Sequence, residues 1–465
     1  MSQTVFSNGD AESIGDVFML TASLSGWGRY PQQTCTLVRP ERYADLGRNA
    51  SSLIARGQGR SYGDAALNQD GQVLLTERLN RMLKLDVENG ILRAESGVTL
   101  AEILDVIVPK GWFLPVTPGT QFASLGGCVA ADVHGKNHHH DGSLGDHVLS
   151  MELFLADGSR VRCAPDENAE LFWASVGGMG LIGIIGEVTL KLMPVKSAYM
   201  QVKQHAADNL EQLFQHLQNP LLDDRYSVAW IDCLSQGQQL GRGVVMCAHH
   251  AEATMLPTGE AFNIQTARSR SIPFDVPAWV LNPLSIGAFN AWYYRHEGSK
   301  QQEFLSGYAS YFYPLDAISD WNRLYGKRGF VQYQCVIPQA SAYAGMLELL
   351  ELLSASRRSS FLAVLKRFGA QGRGLLSFPM PGYTLALDLP LRDEGLFTLL
   401  EQLDEIVIRH GGRVYLAKDA RLSAQSFRAM YPRYAAWLTI KNAADPDNKF
   451  TSSLARRLQI GEGAP

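Results

Sequence analysis

Five short clusters in this sequence carry residue types that do chemistry. The first is Arg56-Gly57-Gln58-Gly59-Arg60-Ser61-Tyr62-Gly63-Asp64, directly after the apolar Leu53-Ile54-Ala55. Glycines in a loop leaving a strand permit left-handed dihedrals and put no Cβ between backbone and ligand. Successive N–H groups then converge on an anion such as a pyrophosphate. A polar turn is the plain alternative, and the cluster alone separates the two poorly. The second cluster joins Thr117-Pro118-Gly119-Thr120 to Ser124-Leu125-Gly126-Gly127. Pro followed by Gly sets a turn, and a glycine pair lets the next element start against a ligand. Two such loops suit a long dinucleotide better than either alone.

The third cluster, Gly178-Met179-Gly180-Leu181-Ile182-Gly183, matches G-x-G-x-x-G. That fingerprint needs a strand before it, a helix after it and an acidic residue about 20 positions on. Here a β-type run follows and Lys203 holds the acidic position, so the segment reads as a structural loop near a cofactor, not a nicotinamide site. The fourth, Asp132-Val133-His134-Gly135-Lys136-Asn137-His138-His139-His140, offers His134 as an acid/base group because imidazole titrates near neutrality. Adjacent histidines seldom face one ion and no H-x-x-x-H spacing occurs, so no metal is expected. His139 and His140 read as a surface loop. The fifth is Tyr415-Leu416-Ala417-Lys418-Asp419-Ala420-Arg421. A lone lysine is usually solvated, yet the flanking β-type run and Gly411-Gly412 make a positioned Lys418 conceivable.

The elements that must hold these clusters are short. Val73–Thr76, Ile91–Glu95, Leu149–Leu155 and Gly186–Met193 read as strands, and Leu100–Val108 and Asn168–Ala174 as helices. The pattern is α+β, not a regular run of βαβ units. Beyond Pro194, Asp208–Gln218 and Ala342–Ser354 read as amphipathic helices, and Gly241–Ala248 and Gly329–Ile337 as long strands. Ser271–Tyr294 is dense in Pro, Trp, Phe and Tyr without clean periodicity and reads as a loop or irregular cap.

Composition bounds the function. The chain has 465 residues, 46% hydrophobic and 19% charged, with a net charge of -4 and no basic stripe of the kind a nucleic-acid backbone requires. Six scattered cysteines without a C-x-x-C pair read as buried thiols. The first sixteen residues show no basic region followed by an apolar run, and no stretch of roughly 18 apolar residues appears.

In order, the clusters resemble the vanillyl-alcohol-oxidase family of FAD enzymes, with its PCMH-type FAD-binding domain. The resemblance runs from Trp27-Gly28-Arg29 to Ala455–Leu458. It takes in RGQGRSYGD, TPGT, LGG, DVHGKNHH, GSLGDHV at Gly142–Val148, ELFWASVGGMGLIGII, QYQCVIP, LSFPMPG, YLAKDAR and MYPR. It is strongest toward the branch acting on polyprenyl-phosphate-linked ribose. It implies an FAD domain at 1–196, a substrate cap at 197–412 built on an antiparallel sheet with helices, and a segment 413–465 returning to the FAD domain.

The resemblance also implies site roles. The pyrophosphate lies against Gly57–Gly63 and Ser124–Gly127, with Arg56 and Asp64 completing the first loop; Gly119, His134–Asn137, Ile185 and Tyr415 line the rest of the cofactor. His134, or Tyr62 or Lys418, is the base, and Lys418 stabilises charge on the reduced flavin. Gln332, Gln334, Lys366 and Lys418 hold the sugar and its phosphate. Relatives that bind FAD covalently use a histidine where this chain has Arg60, so the FAD is non-covalent. Cysteine is common where Ala386 stands, so thiol-directed inhibitors lose their target. The implied activity is oxidation of a ribose 2′-hydroxyl, with an NAD(P)H-dependent keto-sugar reductase as partner. The implied location is the cytoplasm, or the inner membrane as a peripheral protein. A soluble aldonolactone or alditol oxidase using oxygen, and a flavin-binding envelope protein without turnover, are the alternatives.

Overall fold

Short alternating segments pair into two five-stranded sheets between residues 12 and 191. The computed structural model describes residues 12–461 apart from 15–16, 47–49, 220–223, 264–269, 278, 299–302, 359 and 361. The N-terminal stretch read for an export signal thus falls almost wholly outside the described residues. In the first sheet, strand Gln72–Leu75 lies between Gln32–Val38 and Leu53–Arg56, parallel to both. In the second, Ile184–Lys191 lies between Val148–Phe154 and Ile91–Glu95, antiparallel to both. Helix Leu100–Ile107 starts where Thr99 and Glu102 cap each other's backbone N–H, and it buries Leu100, Ile103, Leu104 and Ile107 on one stripe.

The cap is an eight-stranded antiparallel sheet in the order Glu303–Gly307, Tyr199–Ala207, Gly243–His250, Tyr226–Ile231, Ala363–Phe368, Gly382–Pro390, Phe330–Pro338, Arg413–Val414. Helices Leu210–Gln218, Ala342–Ser356 and Gly395–Arg409 bury leucine-rich stripes among the same core residues as its strands. The expected strands and helices occur within a few residues of their places. Ser271–Tyr294 is the exception: a helix, Pro283–Gly298, occupies its second half. Asn282 Oδ1 accepts the N–H groups of Leu284 and Ser285, which starts the helix. Aromatic side chains on several of its faces erase the amphipathic period that would have announced it.

The C-terminal segment ties the two parts together. Val414 pairs with Cys335 in the cap sheet, while Phe450 bridges to Leu53 at the edge of the first sheet. Arg457 then clamps Asp64 (2.7 Å) and Asp419 (2.9 Å). Replacing Arg457 by methionine strands two buried carboxylates, and we expect a loss of about 3–5 kcal/mol in denaturant unfolding. All six cysteines are buried, free thiols. Among the described residues no helix is long and apolar enough to cross a membrane.

Candidate active site

Strand Leu53–Arg56 ends at the first glycine loop, and the loop opens onto a cavity of about 550 Å³. That volume lies within the range of roughly 300–1,000 Å³ typical of ligand pockets. Gly57, Gln58, Gly59, Arg60, Ser61 and Tyr62 line it, and so do Gly119, Ser124, Gly126 and Gly127. The two loops touch: a Cβ on Gly57 would sit 2.0 Å from Ser124 Oγ. Gly59 has φ +61°, as the tight reversal needs. Among the described residues, no protein acceptor takes the backbone N–H groups of Gln58, Gly59, Arg60 or Ser61. Four half-buried amides lining one cavity without partners are what a bound anion satisfies.

The opposite wall is one face of the cap sheet. Side chains two apart on a strand share a face, so Val228 and Trp230, Gln332 and Gln334, and Val364 and Lys366 enter in pairs. Lys136 comes from the loop before helix His138–Asp141, and Lys418 from the turn after Arg413–Val414. Lys418 Nζ lies 4.0 Å from the Tyr62 ring centroid. Lys136 Nζ lies 3.9 Å from the ring centroid of Tyr311 and donates to that residue's carbonyl.

Three lysines thus converge on one cavity. Burial lowers Lys136 to about 7, with Lys366 adding repulsion, and lowers Lys366 to about 8. It also brings Lys418 down to about 7, against the pull of Asp388. His134 is pushed well below the usual imidazole range, first by burial and then by Lys366, His138 and Lys418. Gln334 Nε2 donates to His134 Nε2 (2.9 Å) and to Thr384 Oγ1 (3.1 Å). With Nε2 accepting, His134 is neutral and its proton sits on Nδ1, which meets no partner among the described residues.

Not every expected site residue faces the cavity. Arg56 points behind its loop, donating to Ser25 O (2.7 Å) and Ala66 O (3.3 Å). Asp64 is held by Arg457, and a Cβ on Gly63 would lie 1.6 Å from the Asp419 carbonyl oxygen. Leu125 is fully buried in the apolar core. Asn137 donates to Pro115 O and Asp141 Oδ2, both 2.7 Å. Gly135 packs near Thr117. These six residues, Arg56, Gly63, Asp64, Leu125, Gly135 and Asn137, shape the walls from outside. Ile185 and Tyr415 do line the cavity, and Tyr415 Oη donates to Ala131 O (2.8 Å). Met179, Gly180 and Gly183 line it too, which places the G-x-G-x-x-G segment beside the cofactor loops.

Sequence reasoning missed Asp388. It is fully buried, lies opposite Gln332 in the sheet, and accepts from Gln332 Nε2 at 2.5 Å. Burial raises it to about 7, opposed by Gln332 and Lys418. The signal was a lone carboxylate on the inward face of Gly382–Pro390, two residues from Ala386. Trp27 and Phe122, whose ring centroids lie 4.2 and 5.4 Å from the Arg60 guanidinium carbon, were also missed.

Comparison with known proteins agrees with this geometry. An "FAD binding domain" family matches residues 41–164, and a "D-arabinono-1,4-lactone oxidase" family matches residues 392–458. The chain is 35% identical over 455 residues to decaprenylphosphoryl-β-D-ribose oxidase of Mycolicibacterium smegmatis, covering 95% of this chain and 98% of that protein. An uncharacterised Streptomyces coelicolor protein is 35% identical over 78% of this chain and 100% of its own length. Mouse L-gulonolactone oxidase is 22% identical over 86% of this chain and 88% of its own. The unpartnered amides of the first loop and the open space above Gly119 fit a flavin dinucleotide, and FAD is the cofactor. The chain belongs to the family of FAD-binding oxidases that includes decaprenylphosphoryl-β-D-ribose oxidase.

Proposed function

We propose that this chain oxidises the 2′-hydroxyl of a polyprenyl-phosphate-linked ribose to a keto sugar, the first half of an epimerisation to the arabinose form. The carrying observation is the convergence of Lys136, Lys366 and Lys418 on a cavity that also presents Gln332 and Gln334. A phosphate is the substrate group such a cationic wall suits, and the two glutamines suit sugar hydroxyls. The relative's name, decaprenylphosphoryl-β-D-ribose oxidase, supports the same sugar and lipid.

Bound FAD supplies the hydride acceptor, which no side chain here can replace. The chain must take the hydroxyl proton, a task in which a placed base contributes about 10²–10⁴-fold. His134 suits this poorly, because Gln334 occupies its Nε2 lone pair and burial opposes its cation. Lys418 suits it better: near pH 7 a fraction of its amine is neutral and able to accept the proton. The ammonium then formed rests over the Tyr62 ring, whose face attracts cations. Tyr62, raised well above its usual range by burial, keeps its proton.

Arg60, stacked on Trp27, stands in the first loop without a nucleophilic side chain, which supports dissociable FAD. Acid precipitation should release the yellow colour into the supernatant. Helix Pro283–Gly298 supplies Tyr293 to the cavity while leaving Leu284 85% and Trp292 56% exposed. That apolar surface supports peripheral contact with the bilayer carrying the lipid, the inner membrane. An NAD(P)H-dependent reductase then completes the epimerisation.

The lysines also give a pH dependence. Each attracts phosphate when protonated, and the free enzyme loses those protons as pH rises through about 7 to 8. KM for the phosphosugar is therefore expected to be lowest below pH 7 and to climb up to pH 9, while an uncharged polyol shows no such climb. The deciding experiment is anaerobic mixing with polyprenyl-phosphoribose or with free aldonolactones and alditols. Flavin bleaching by the lipid sugar alone supports the proposal; bleaching by the free sugars alone transfers it to the lactone oxidases.

A further inference from the structure

A second cavity of about 290 Å³ lies on the far side of the aromatic layer that backs the active site. Its inner wall includes Tyr325, whose ring stacks on Phe330 with centroids 4.0 Å apart. Phe330 in turn meets Tyr62 edge-on at 5.5 Å. The rings of Tyr62, Phe330 and Tyr325 thus link the linings of the two cavities.

Its lining combines two chemistries. Leu281, Leu324, Leu391 and the prolines Pro277 and Pro390 supply apolar walls, all but Pro277 half-buried. Lys327, Arg328 and Arg392 supply positive charge, and the one acid in the lining, Asp275, is held by Arg29 at 2.5 Å. Arg392 is the telling residue. Its Nε and Nη2 are buried and meet no acceptor among the described residues. Burial first and then Arg358 disfavour its charge, and Asp393, which attracts it, already accepts from Arg358 Nη2 at 2.5 Å. Buried donors without acceptors are rare in natural proteins, and a guanidinium edge offers paired N–H groups to a carboxylate or phosphate.

We propose that this cavity is a binding site for an amphiphilic anion, a carboxylate or phosphate head on an apolar body. The head pairs with the free edge of Arg392, Lys327 and Arg328 stand at the rim, and the body lies against Leu281, Leu324 and Leu391. The site differs from the substrate cavity in its residues and needs no reading of the reaction.

Isothermal titration of the FAD-loaded protein with decyl phosphate tests it, with inorganic phosphate and decanol as separate arms. Decyl phosphate should bind at a site that survives Lys366→Ala/Lys418→Ala, which disarms the active cavity. Arg392→Gln should weaken that site at least tenfold, and Leu324→Asp should do the same through the apolar wall. Both variants should retain wild-type thermal melting and flavin content, and whichever does so carries the test. Unchanged titration in a folded Arg392→Gln or Leu324→Asp protein overturns the proposal. Equal affinity for inorganic phosphate or for decanol overturns the amphiphilic class.

Discussion

Replacing Lys418 by alanine should slow flavin bleaching by substrate about 10²–10³-fold while leaving FAD bound, the loss typical when one placed charge is removed from a reacting centre. Lys418 lies beside the cofactor loops without building them: its Nζ sits over Tyr62, and Asp388 behind that layer attracts it. The visible spectrum of the variant should therefore remain that of a flavoprotein. Arginine distinguishes proton transfer from charge alone. Lys418→Arg keeps the cation but has no lone pair at neutral pH, so a base at this position predicts that it is nearly as slow as the alanine variant. Substantial activity in Lys418→Arg would return the base to another residue and leave Lys418 as a holder of charge. Asp388→Asn adds a pH readout. It removes the carboxylate that favours protonated Lys418, so the rising limb of the kcat profile should move to lower pH.

Gly63→Ala is expected to yield a protein without FAD and with a lowered Tm. The added Cβ would lie 1.6 Å from the Asp419 carbonyl oxygen and 3.0 Å from Ala420 Cα, both backbone atoms that no rotamer change can move. Relief requires the 417–420 turn to separate from the first loop, breaking the Tyr62 N–H to Ala417 O bond of 3.1 Å. That shift carries Lys418 away and loosens the amides that face the cavity. Overpacking a tight site typically costs about 1–3 kcal/mol, enough to read in thermal melting. Gly119→Ala is the control. Among the described residues beyond its chain neighbours, no atom lies within 4 Å of its Cβ position, and its φ is not left-handed, so it should melt as wild type. Any loss of FAD affinity in Gly119→Ala then measures contact with the cofactor. A yellow, normally melting Gly63→Ala protein would show that the two segments do not set the loop.

The legible parts of this site were local ones. Gly57–Ser61 and Gly119–Gly127 announce themselves because glycine spacing encodes backbone shape within a few residues. The alternation in Gly382–Pro390 and Phe330–Pro338 marks faces equally well. Which faces meet depends on strand order, and Ala363–Phe368 lies between Tyr226–Ile231 and Gly382–Pro390, segments far apart in the chain. That order brings Lys366 to Lys136 and puts Asp388 under Gln332, and no local pattern contains it. Arg56 and Asp64 show the reverse case. Both belong to the conspicuous motif, yet charged residues in a ligand loop also anchor it, and here their partners are Ser25, Ala66 and Arg457. The helix at Pro283–Gly298 escaped because its aromatic residues do not keep to one side.

The path of residues 413–457 has a consequence for biosynthesis. Arg413–Val414 completes the cap sheet, Ala417 and Asp419 brace the first glycine loop, Phe450 meets Leu53, and Arg457 locks Asp64. All but the first of these contacts join residues after 416 to residues 53–64, so on the ribosome the cradle is unfinished until residues 417–457 have been made. Flavin loading is thereby deferred until that segment has been made. A prematurely terminated product, missing both its lysine and its Arg457 clamp, is left colourless and open to proteolysis.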